Sequence, residues 1–164
     1  VAREDWIVDP KTIDCSKVVA DIEAIRETNP QRYEMEQLTA IVHEDTENEI
    51  CIGYHDLTED QFWVRGHMPG MPILPGVLMC EMAAQVSTWY VAKNNLMNGK
   101  KLGFGGLDGV KFRGLVRPGD RLVLVLHKTR LSPGRMIVCR FQGFVNQNMV
   151  VEGSIRGIPL PDTL

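Results

Sequence analysis

Gly66-His67-Met68-Pro69-Gly70-Met71-Pro72-Ile73-Leu74-Pro75-Gly76 is followed at once by Val77 to Lys93, a run that contains neither proline nor glycine. The first stretch holds three prolines and three glycines, which rules out a regular helix or a central strand there. Pro75 is preorganised for a first helical turn, so the spacing predicts one long helix from Pro75 to about Lys93. Its apolar residues, among them Val77, Leu78, Met82, Ala83, Val86, Trp89 and Tyr90, occupy more than one face. A helix of that kind is wrapped by other structure instead of lying on a surface.

The rest of the chain supplies the wrapper. Residues 121–131, 135–145 and 149–157 are rich in Val, Leu, Ile and Phe, and turn sequences separate them at Ser132-Pro133-Gly134 and Asn146-Gln147-Asn148. A further strand is expected around Phe104 to Arg113, and a hairpin from Thr39 to His43 and Glu49 to Tyr54. Near the start, Val18, Val19, Ile22, Ile25 and Arg26 follow helical spacing, with Asp14 or Ser16 as the cap and Asn29-Pro30 as the stop. The expectation is one α+β domain over residues 1–164, a curved antiparallel sheet wrapped on one central helix, with a short extension at about Val1 to Thr12.

Composition narrows the function classes. Hydrophobic residues make up 44% and charged residues 24%, the balance of a globular protein with a core large enough to need no disulfide or structural metal. Eighteen basic and 21 acidic residues give a net charge of −3, so no global field recruits nucleic acid or an anionic membrane. Cys15, Cys51, Cys80 and Cys139 lack metal-site spacing and read as free thiols. No signal-peptide pattern or membrane-length apolar run is present, so a cytoplasmic location is expected.

Three features of the central stretch carry chemistry. Glu81 is the only formally charged residue between Arg65 and Lys93. Buried among apolar neighbours it would resist ionisation and serve as a proton donor, whereas on a solvated stripe it would be a surface residue, and position alone leaves both readings open. Gln85, one turn later, can hydrogen-bond it. Histidine is the side-chain type that titrates nearest neutrality, and His67 sits in a rigid segment, although an isolated histidine is more often structural. The amide at Gly76 falls where the first helical N–H groups lack internal partners, and the missing Cβ admits a ligand.

Other signals are weaker. Gly103-Phe104-Gly105-Gly106-Leu107-Asp108 has Asp where a dinucleotide loop needs its last glycine. Cys80 reads as a small core residue, and His43, His55 and His127 as scattered surface or strand residues, so no metal is expected. Lys111, Arg113, Arg117 and Arg121 face only Asp120 within their own window, giving a locally basic segment.

The run from His67 through Pro69, Gly70, Pro72, Pro75, Gly76, Val77, Leu78 and Glu81 to Gln85 resembles the signature of the 3-hydroxyacyl-[acyl-carrier-protein] dehydratases of bacterial fatty-acid synthesis. Phe62-Trp63-Val64-Arg65-Gly66 before it, and Phe104 to Arg113 with Arg117-Pro118-Gly119-Asp120 after it, agree; the likeness runs from about Asn29 to Gly157. It departs from the family pattern at Met68 for phenylalanine, Gln31 for histidine and Glu34 for proline.

The resemblance implies a hot-dog fold and a homodimer that pairs two sheets edge to edge, trimers of dimers being common in the family. It also implies a dyad of His67 from one subunit with Glu81 from its partner. The implied activity is reversible dehydration of a (3R)-hydroxyacyl thioester on acyl-carrier protein, with no cofactor. The Gly76 amide would be the oxyanion donor. Met68, Ile73, Leu74 and Phe112 would line an acyl tunnel with Gln85 nearby, and Lys111, Arg113 and Arg117 would dock the acidic carrier. An acyl-thioester hydrolase of the same fold, or a non-catalytic acyl- or carrier-binding module, are the alternatives.

Overall fold

The computed structural model describes residues 5–161. Six strands are present: β1 (Ala40–Asp45), β2 (Ile50–Asp56), β3 (Leu102–Phe112), β4 (Arg121–Ser132), β5 (Met136–Val145) and β6 (Asn148–Pro159). They form one antiparallel sheet in the order β1-β2-β4-β5-β6-β3. Helix α1 covers Ile22–Arg26, and the long helix α2 covers Gly76–Lys93, where the sequence places it. Helix α2 touches β2, β3, β4, β5 and β6, so the sheet wraps it as the hot-dog arrangement requires.

Alternation along the strands explains both faces of the sheet. In β4, Leu122, Leu124 and Leu126 join the core around α2, while Val123 and Val125 point to the opposite face. On the helix, Met82, Ala83 and Val86 are fully buried, and burying each larger side chain contributes about 1.5–3 kcal/mol. The helix runs so close to β2 that a Cβ at Gly53 would lie 2.9 Å from Ile41 Cδ1 and 3.2 Å from Val86 Cγ2.

The outer face is covered as well, by the extension that precedes α1. Trp6, Ile7, Val8, Ile13 and Cys15 pack on Ala40, Val42, Ile52, Tyr54, Val125 and Phe144. Trp6 meets Phe144 edge-on with ring centroids 6.2 Å apart. The fully buried Gln142 accepts from the Ile7 N–H at 2.8 Å and donates to the Asp5 carbonyl at 2.9 Å, so its amide is satisfied by the strap's backbone. Val1 to Glu4, the beginning of the expected extension, lie outside the described residues.

The first helix is shorter than its apolar spacing predicts, and its cap is Asp21, not Asp14 or Ser16. Asp21 accepts from the Ala24 N–H at 3.0 Å. The reason is a bridge to a distant strand: Ile41 O accepts from Val19 and Ala20, and the Ile41 N–H donates to Ala20 O. Bonding to Ile41 ties up the Val19 and Ala20 backbone, so α1 does not start before Asp21. Asp14 closes a local turn with Ser16 instead.

Candidate active site

The irregular segment ahead of α2 is pinned from both sides. The His67 N–H donates to Trp63 O at 2.8 Å, and the Ile73 N–H donates to His67 O at 2.9 Å. The next residue, Leu74, is buried in the core and donates its N–H to Val116 O at 2.8 Å, anchoring the segment from beneath. The His67 ring is half-buried, and its Nδ1 lies 2.7 Å from the Ile73 carbonyl oxygen. A carbonyl only accepts, so Nδ1 carries a proton, and in the neutral form of the ring Nε2 keeps its lone pair.

Glu81 lies five residues into α2 and is half-buried, with apolar neighbours on its own helix and one specific polar partner. Gln85 Nε2 donates to Glu81 Oε1 at 2.8 Å and to the Met35 carbonyl at 2.7 Å, while Gln85 Oε1 accepts from the Gln37 N–H at 3.0 Å. Those three bonds fix which end of the Gln85 amide is which. They also hold Glu81 Oε1 as an acceptor, and among the described residues Oε2 has no hydrogen-bond partner. The Asn29 side chain donates to Gln85 O at 2.9 Å, so the segment from Asn29 to Gln37 buttresses the carboxyl from behind. Among the described residues, no hydrogen bond or salt bridge joins His67 to Glu81 within one chain.

Helix α2 begins at Gly76 with Pro75 as cap residue and no side-chain capping bond; Leu78 donates back to Pro75 O. The Gly76 and Val77 amides therefore stand at the positive end of the helix without a side-chain acceptor. Space is a second reason for glycine there, because a Cβ would lie 2.8 Å from two atoms of the Phe112 ring. Gly76→Ala is expected to push that ring aside at a cost of about 1 kcal/mol, seen as a lower Tm. In a Phe112→Ala background the same substitution should leave Tm unchanged, and an equal loss in both backgrounds would remove Phe112 from the explanation.

The other expected residues differ in their exposure. Met68 and Phe112 are about half exposed and Ile73 is partly buried, while Leu74 belongs to the core. The basic segment is less basic than its own window implies. Antiparallel pairing of β3 with β6 brings Glu152 to Arg113, whose Nε donates at 3.0 Å, and pairing of β2 with β4 sets Asp56 against Arg121 at 2.6 and 2.8 Å. Arg121 also lies over the Tyr54 ring, 4.0 Å from its centroid. Asp120 accepts from the Arg117 N–H, and among the described residues Lys111 and Arg117 form no salt bridge.

Of its two readings, surface or strand residue, His55 keeps the second and not the first. It stands in β2 on the same face as Cys51 and Gly53, is 7% exposed, and burial pushes its pKa down to about 4. Period-two alternation from Cys51 is the signal that would have placed it inside. Burial pushes the Cys80 thiol up to about 11, which agrees with a core residue and not a nucleophile. All four cysteines are free. The glycine-rich run lies within β3, an edge strand, so it opens no helix onto a phosphate. No helix among the described residues is long and apolar enough to cross a membrane.

A FabA-like domain model matches residues 29–154. The chain is 35% identical over 112 residues to the 3-hydroxyacyl-[acyl-carrier-protein] dehydratase FabZ of Clostridium botulinum, covering 68% of this chain and 77% of that protein. It is 37% identical over 111 residues to the enzyme of the same name in Bacillus cereus, covering 68% and 76%. Solved structures share the fold, two of them as follows. The dehydratase heterocomplex ApeI:P from Xenorhabdus doucetiae superposes with a TM-score of 0.71 at 13% identity over 85% of this chain and 92% of that one. Cj0977, a sigma28-regulated virulence protein from Campylobacter jejuni, superposes with a TM-score of 0.66 at 15% identity over 93% and 96%. The chain belongs to the FabA-like family, and within it to the 3-hydroxyacyl-[acyl-carrier-protein] dehydratases.

Proposed function

We propose that this protein reversibly dehydrates (3R)-hydroxyacyl thioesters on acyl-carrier protein to trans-2-enoyl thioesters in fatty-acid synthesis, in the cytoplasm. The observation that carries the reading is the His67 ring, whose Nδ1–H is committed to the Ile73 carbonyl so that Nε2 is left as the base. His67 Nε2 takes the C2 proton, and the electron pair released forms the C2–C3 double bond as the C3–O bond breaks. Glu81 of the partner subunit gives its Oε2 proton to the departing hydroxyl, which leaves as water. The resulting imidazolium and carboxylate return to their starting states by proton transfer. Negative charge that grows on the thioester oxygen is met by the open amide at Gly76, where an oriented donor acts without reorganisation.

Sharing the dyad needs a dimer, and β3 is the edge suited to form it. It ends the sheet and carries half-exposed Phe104, Leu107 and Phe112. The acyl chain would run past Met68, Ile73 and Phe112, each buried CH₂ contributing about 0.8 kcal/mol. Lys111 and Arg117 are the cations best placed to meet an acidic carrier, since Arg113 already serves Glu152.

The reading is tested by mixing the protein with carrier-linked crotonyl and longer enoyl thioesters while following the conjugated enoyl absorbance and free thiol together. Loss of the band without thiol release is expected. Thiol release from either the enoyl or the hydroxyacyl thioester would make the protein a hydrolase, and binding with no change in either signal would make it a carrier-binding module.

A further inference from the structure

A chain of side chains that the mechanism does not use runs from the buried strand β2 to the backbone of His67. The Trp63 indole N–H donates to Gln61 Oε1 at 2.8 Å. An indole nitrogen only donates, so the Gln61 oxygen faces Trp63 and its NH₂ faces His55 Nε2, with which it is hydrogen-bonded. His55 must accept there, so it is neutral with its proton on Nδ1, on the side of Thr39 Oγ1 at 3.4 Å. The Thr39 hydroxyl in turn accepts from the Asp56 N–H at 2.9 Å. At the other end Trp63, 3% exposed, is locked in the core, and its carbonyl accepts from both Gly66 and His67. Turning the Gln61 amide over would leave the buried Trp63 N–H without an acceptor.

We infer that His55 is a positioning residue for His67: through Gln61 and Trp63 it fixes the turn that aims the His67 ring. The inference rests on the reading of His67 as the proton acceptor. Misplacement by about 1 Å at such a group can cost on the order of 10²-fold in rate, so a small drift of the Trp63 carbonyl has a large readout.

Three variants test it. His55→Leu removes the acceptor at similar size, His55→Gln restores an acceptor near the Nε2 position, and Gln61→Met keeps the shape of half-buried Gln61 without its polar atoms. His55→Leu and Gln61→Met are expected to lower kcat by roughly 10- to 100-fold with KM within about twofold of wild type, while His55→Gln stays within about threefold. In parallel, nitrogen NMR of the His67 ring without substrate should show the single Nδ1–H form in wild type and His55→Gln, and a mixture of forms in the other two. If His55→Leu does not fold, Gln61→Met gives the same answer. Wild-type kcat and an unchanged His67 spectrum in a folded His55→Leu or Gln61→Met protein would overturn the inference, as would equal losses in His55→Leu and His55→Gln. Absence of dehydratase activity in the wild-type protein would sink the proposed function instead, and the NMR comparison would still decide whether His55 positions His67.

Discussion

His67→Ala is expected to yield a folded protein whose kcat is lower by roughly 10²–10⁴, the range lost when a group that transfers a proton is removed. The ring makes one structural bond, from Nδ1 to the Ile73 carbonyl, and losing a bond of that kind costs about 1 kcal/mol net. The backbone bonds from Trp63 O to the His67 N–H and from His67 O to the Ile73 N–H do not depend on the side chain. Stability should therefore fall slightly while turnover collapses. Thermal unfolding run beside the enoyl absorbance assay separates the two, and a His67→Ala protein with near-normal kcat would remove His67 as the base.

Glu81→Gln is expected to lose a similar factor for a different reason. The new amide oxygen still accepts from Gln85 Nε2, so the bonds of Gln85 to Met35, Gln37 and Asn29 persist and the local fold is kept. On the proposed mechanism, what disappears is the proton donor at the second oxygen, without which the C3 hydroxyl would leave as a poorer group. Retained activity in this variant would assign the acid elsewhere.

Much of the fold is legible in the sequence. The Pro75-Gly76 start, the uninterrupted run to Lys93 and the turn sequences at Ser132-Pro133-Gly134 and Asn146-Gln147-Asn148 are local signals, and local signals place α2 and the last three strands. Local reading fails where a partner far along the chain decides the outcome. Val18 and Val19 have helical spacing, yet Ile41 claims the neighbouring backbone. Arg113 and Arg121 read as free cations until strand pairing brings Glu152 and Asp56 to them, 39 and 65 residues away. The outer apolar face of the sheet and the strap that covers it come from alternate positions on β1, β2, β4 and β5 acting together, which no single segment reveals.

The candidate site divides along the same line. His67, Gly76, Glu81 and Gln85 fall within one short window whose residue types suggest their chemistry. The support behind them does not: Ile73 fixing the imidazole tautomer, Gln37 and Met35 fixing the Gln85 amide, and Phe112 closing over Gly76 are contacts of the folded chain. The burial of His55 within its strand is not marked by the residue itself; the alternation with Cys51 and Gly53 is the available clue.

The central claim is that one active site is built from two chains, and mixing inactive variants tests it most directly. His67→Ala and Glu81→Gln proteins, each carrying a different tag, are combined under conditions that exchange subunits, and mixed dimers are counted by native mass spectrometry. Each mixed dimer regains one site with an intact His67 and an intact Glu81, so an equal mixture should recover about a quarter of wild-type activity. Activity no greater than that of the separate variants, with mixed dimers present, would contradict the account.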